Sequence, residues 1–133
     1  MMTESIPNRS RALMVDDNAD VLATTADLIE AEGFDVTRVP TGEAALTCLG
    51  SSETFRLLVT DYAMPGLNGV DLACWALERF PDLKVLVITG FPVAERVAAM
   101  PLGMALLAKP FRRAALRRQL RSLFNSDPIR TAE

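Results

Sequence analysis

Histidine is absent from this chain of 133 residues. Its absence excludes imidazole metal sites, Ser-His and Cys-His nucleophilic pairs, and any phosphohistidine carried by the chain itself. Cysteine is scarce. Cys48 and Cys74 both fall in helix-like stretches, and neither belongs to a metal-ligand spacing, so reduced packing thiols are expected. There is one Trp and one Tyr, and both Trp75 and Tyr62 read as packing residues rather than a ligand cage. No apolar run approaches the roughly 20 residues that a membrane span needs. Met1 to Ser10 is polar and lacks the apolar centre of a signal peptide, so a cytoplasmic location is expected. The net charge of −3 is modest but uneven, because Arg112, Arg113, Arg117, Arg118 and Arg121 crowd one late segment. One basic helix on an acidic body is a weak footprint for nucleic acid, and no direct nucleic-acid binding is expected. That arginine face reads as a solvated helix surface.

What is present is an alternation of short apolar runs and amphipathic stretches, sized for one domain. After a disordered lead over 1–10, Ala12 to Val15 reads as a buried strand ending on Asp16-Asp17. Asn18 can cap a helix that buries Val21, Leu22, Thr25, Leu28 and Ile29 and stops at Gly33. Phe34 to Val39 is a second strand, and Thr41 caps a short helix over Glu43 to Leu49. Phe55 to Thr60 is a third strand, whose end presents Asp61 before the breakers Met64-Pro65-Gly66 and Asn68-Gly69. Val70 to Phe80 is a helix with Val70, Ala73, Cys74 and Leu77 inward. Lys84 to Ile88 is a fourth strand ending on Thr89-Gly90, followed by a short helix over Val93 to Met100 closed by Pro101. Met104 to Ala108 is a fifth strand ending on Lys109-Pro110. The final helix, Phe111 to Phe124, turns Leu116, Leu120, Leu123 and Phe124 inward, and a loose tail occupies 125–133. Five strands alternating with five helices predict a doubly wound α/β domain over 11–124 with a mostly parallel sheet.

In such sheets ligands bind beyond the carboxyl ends of the strands. Those ends carry Asp16 and Asp17, Asp61, Thr89 and Lys109. Three neighbouring carboxylates are unfavourable, since two unit charges about 4 Å apart repel by roughly 4 kcal/mol at an effective dielectric near 20. Lys109 offsets one charge, and a hard divalent ion is the natural second. Magnesium prefers a few carboxylates plus waters and phosphate oxygens, so the set suits phosphoryl transfer. With no histidine available, the natural nucleophile is a carboxylate, and Asp61 stands alone at its strand end while Asp16-Asp17 reads as metal support.

The chain resembles the receiver domains of the two-component response-regulator family. The match lies in Val15-Asp16-Asp17-Asn18, Asp61 followed by Met64-Pro65 and Gly69, Thr89-Gly90, and Lys109-Pro110-Phe111. It implies a flavodoxin-like fold, with Asp61 as phosphoacceptor from a histidine kinase or a histidine phosphotransfer protein. It also implies Mg²⁺ held by Asp17, Asp61 and the carbonyl of Ala63, with Asp16 acting partly through water. By the same resemblance Thr89 bonds the phosphoryl oxygen, Lys109 pairs with it, and Lys109-Pro110 is cis. Three residues before the lysine, where the family often has an aromatic, stands Leu106, so a switch without an aromatic flip, or one using Phe91, is expected. Ala63 and Phe91 flank the site, and neither side chain can position a hydrolytic water. Pro101 shortens the helix that many receivers use for output.

The leading expectation is a stand-alone phosphorelay receiver, monomeric or weakly dimeric, that signals to a downstream protein through a changed surface. It would not be an enzyme beyond its own phosphorylation and dephosphorylation. The receiver portion of a hybrid sensor histidine kinase is the alternative, favoured by the run Leu102 to Leu107. A small aspartate-nucleophile phosphatase would need a cap insertion that the alternation leaves no room for. A degenerate interaction module would not need an intact acid set.

Overall fold

Each apolar run read as a strand is one. The computed structural model describes residues 10–90 and 103–125. Five strands form one sheet, β1 (Arg11–Val15), β2 (Asp35–Val39), β3 (Leu57–Asp61), β4 (Lys84–Thr89) and β5 (Met104–Ala108). All pair in parallel, in the order β2-β1-β3-β4-β5. The helices are α1 (Ala19–Ala31), α2 (Gly42–Leu49), α3 (Gly69–Arg79) and α4 (Arg113–Asn125). The helix expected over 93–100, together with Phe91 and Pro101, lies outside the described residues.

Strand alternation divides the interior into two cores. Leu13, Val15, Leu58, Val85 and Val87 face α2 and α3, where they meet Ala45, Leu49, Leu72, Ala73 and Ala76. Ala12, Met14, Leu57, Val59, Leu86 and Ile88 face α1 and α4, against Ala26, Ile29, Leu116, Leu120 and Leu123. The central strands are apolar on both faces, so both sides of the sheet must be covered. Among the described residues no helix is long and apolar enough to cross a membrane.

Two packing details add to the expectation. On α3 the buried stripe is Gly69, Leu72, Ala73 and Ala76, while Val70, Cys74 and Leu77 are half-buried. Val70 and Leu77 still pack against the α2/α3 core, as expected, with the deepest burial shifted toward Leu72 and Ala76. At the helix start Asn68 caps and Gly69 seats against the end of β3. A Cβ on Gly69 would collide with the Asp61 carbonyl oxygen. The arginine face is exposed, as expected, and two of its members are also paired. Arg113 and Arg117 do not face solvent alone, because both reach Glu32 after α1, at 3.4 Å and 3.2 Å. An acid at a helix C-terminus and arginines at a helix N-terminus each oppose their own helix dipole, and here each compensates the other.

Glu32 is mostly covered, with 13% of its side chain exposed. Burial alone would raise its carboxyl, but the hydrogen bond and charge of Arg117, joined by Arg113, outweigh that and hold it low. Its folded value is thus below its unfolded one. The stability it contributes is present above the ordinary glutamate range and is lost as pH falls through the depressed folded value. Glu32→Gln should lower unfolding free energy by about 1 kcal/mol at neutral pH. In denaturant titrations the gap to wild type should close on acidification. Gly69→Ala should cost about 1–3 kcal/mol, because the new methyl must push the end of β3 aside. Thermal melts of the purified variant measure that loss.

Candidate functional site

Strand register assembles the polar ends. Val15 pairs with Thr60, Asp61 with Ile88, and Thr89 with Ala108, so Asp16, Asp61, Thr89 and Lys109 stand at or just past neighbouring strand ends. The chain leaves β1 toward β2 on one side and returns at β3 on the other. This makes the β1/β3 boundary the switch point where a crevice opens. Asp16 and Asp61 flank it.

Asp16 is 2% exposed, and its Oδ1 accepts the Asn18 N–H at 2.9 Å. Burial raises its carboxyl above the usual aspartate range, and the charge of Asp61 adds to the rise, while the Asn18 amide opposes it. The Asn18 side chain accepts the N–H groups of Asp20 and Val21, so one residue both caps α1 and anchors the acid turn. Asp17 is exposed beside this turn. Asp61 is 7% exposed, and its Oδ1 receives the Lys109 ammonium at 2.9 Å. Lys109 stands one residue past β5, where its N–H donates to the Thr89 carbonyl at 2.8 Å; the Lys109-Pro110 bond is cis.

Carboxylate oxygens of Asp16, Asp17 and Asp61 all lie within 4.8 Å of one another. Opposite oxygens around octahedral magnesium stand about 4.2 Å apart, at about 2.1 Å from the ion. A small closure, or one ligand held through water, brings the set into that range, so these residues fit Mg²⁺. Thr89 is buried at the end of β4, next to β3, and Ala63 lies on the exposed loop two residues past Asp61. Leu106 is half-buried against the α2/α3 core, so an aliphatic side chain fills the position where an aromatic is usual.

One positioning residue was overlooked in the sequence. Asn68 accepts the Asp71 N–H at 2.8 Å and donates to the Asp71 carboxylate at 3.1 Å. The Asn-x-x-Asp spacing ahead of an apolar stretch, a relative of the capping box, was its signal. That cap ends the loop carrying Ala63.

Packing like charges together without metal has a measurable consequence. Asp16→Asn keeps the oxygen that accepts the Asn18 amide and removes one charge. In EDTA at neutral pH it should unfold at higher denaturant than wild type, by on the order of 1 kcal/mol. Magnesium at millimolar levels should stabilise wild type more than the variant and erase that advantage.

Comparison with known proteins agrees with this geometry. A family profile described as the response regulator receiver domain matches residues 12–121. The response regulator receiver protein CpdR of Brucella abortus is 36% identical over 103 residues, spanning 76% of this chain and 85% of that protein. The transcriptional regulatory protein FixJ of Azorhizobium caulinodans is 37% identical over 117 residues, 86% of this chain but 53% of that longer protein. A response regulator receiver protein from Sinorhizobium medicae superimposes with a TM-score of 0.82 at 27% identity, over 90% of this chain and 98% of that one. With the acid cluster and its lysine at the switch point of a five-stranded parallel sheet, this chain belongs to the response regulator receiver domain family.

Proposed function

We propose that the protein is a phosphoacceptor receiver, in which Asp61 takes a phosphoryl group from a phosphohistidine on a partner kinase or phosphotransfer protein. The observation that carries this reading is the Lys109–Asp61 contact of 2.9 Å inside a cluster of three acids. The Asp61 oxygen attacks phosphorus, a P–O bond forms, the P–N bond breaks, and the departing imidazole takes up a proton. Asp16, Asp17, Asp61 and the carbonyl of Ala63 would hold Mg²⁺, which when bound neutralises phosphoryl oxygens. Lys109 neutralises another oxygen, and the Thr89 hydroxyl donates to a third. The donor needs somewhere to dock. A cavity of about 590 Å³ between α1 and residues 109–111, lined by Val21, Thr24, Leu28, Pro110 and Phe111 among others, reaches Lys109.

The product is a phosphorylated surface rather than a turned-over substrate. Shifting a two-state surface from 1:99 to 99:1 takes about 5.5 kcal/mol of differential stabilisation, which a phosphoryl group held by Lys109 and a metal can supply. A monomeric or weakly dimeric cytoplasmic protein acting on a downstream protein fits this role. The match to CpdR runs over most of that protein's length and supports the receiver reading itself. The longer relative FixJ carries segments that this chain does not cover.

Acetyl phosphate with Mg²⁺ should add one phosphoryl group to the wild type, seen by intact mass, and the adduct should be lost in hydroxylamine. Asp61→Asn should abolish the labelling. Equal labelling of that variant would refute the assignment of Asp61.

A further inference from the structure

A reacting carboxylate must be aimed, and the residue immediately before Asp61 is placed to do that. Thr60 is completely buried in β3, on the face turned to α2 and α3. A valine would fill the same shape without the cost of removing a hydroxyl from water, so the hydroxyl needs a partner. It donates to the carbonyl oxygen of Asp61 at 3.0 Å, and the Met64 sulfur lies 4.0 Å from the same hydroxyl. One proton serves one acceptor at a time, and the carbonyl is both nearer and stronger than a thioether.

The carbonyl so held sits where the sheet runs out. The register between β1 and β3 ends at Val15–Thr60, and β1 then turns off into Asp16-Asp17. On the other flank Gly69 closes in so tightly that any Cβ would collide with that same oxygen. The following amide, Tyr62 N–H, donates to Ile88 at 2.8 Å. The peptide plane leaving Asp61 is therefore held by a hydroxyl, a helix start and the neighbouring strand. The side chain springs from the α-carbon at the head of that plane, so holding the plane holds the direction of the Cα–Cβ bond, and the Lys109 contact then orients the carboxylate on it.

We infer that Thr60 is a positioning residue for phosphoryl transfer, acting through its hydroxyl on the carbonyl of Asp61. This rests on Asp61 being the phosphoacceptor. The test compares Thr60→Val, which keeps the shape and loses the hydroxyl, with Thr60→Ser, which keeps the hydroxyl and loses the methyl. In the 133-residue chain with Mg²⁺, the maximal rate of acetyl phosphate labelling should fall about tenfold in the valine variant, the size typical of losing a supporting hydrogen bond at such a site. The half-saturating acetyl phosphate concentration and the melting temperature should stay near wild type, and the serine variant should label at close to the wild-type rate. The reverse order, valine normal and serine slow, assigns Thr60 to packing alone and overturns the inference. Labelling of Asp61→Asn run alongside would instead overturn the phosphoacceptor reading, so the two failures are distinguishable.

Discussion

Three carboxylates held at the mouth of a sheet repel one another, and the rest of this structure answers that repulsion. Asp16 is buried and raised by its burial, Asp61 is nearly buried and paired with Lys109, and Asp17 stays in water. The ammonium relieves one charge. The remainder is an unmet demand for positive charge, which a divalent ion and the groups it brings can meet. Such a cluster persists only on a scaffold stiff enough to prevent the acids from swinging apart.

That scaffold is the doubly covered parallel sheet. Its central strands are apolar on both faces and sealed by two separate cores, so the strand ends cannot slide without opening one of them. The loops at the carboxyl ends are tied in detail. Asn18 anchors the turn after β1, Asn68 and Gly69 close the loop after β3, and the Thr89 carbonyl holds the backbone of Lys109. Away from the site, Glu32 joins the end of α1 to the start of α4 through Arg113 and Arg117. Both arginines also stay exposed, as members of a solvated helix face.

A receiver must be rigid at the reacting atom and adaptable at its surface, and the two demands are met in different places. Rigidity resides in buried groups around Asp61, among them Thr60 and Gly69. The groove along α1 beside Pro110 and Phe111 offers an apolar surface next to Lys109.

The sequence by itself determined the strands, their order in the chain, and which polar residues stand at the strand ends. Short Val/Leu/Ile runs have one stable use in a domain of this size, and an acid, threonine or lysine at the end of such a run has to emerge where the run stops. Asp16, Asp17, Asp61, Thr89 and Lys109 were all legible for that reason. Side-chain contacts away from the strand ends were not. The seat of Gly69 against the Asp61 carbonyl shows only in the folded chain, and the role of Glu32 follows from two helices whose contacting residues stand 81 apart in sequence. Thr60 reads locally as one more β-branched strand residue. Only the folded chain, by ending one strand pairing beside it and seating a helix against the same carbonyl, decides what its hydroxyl holds.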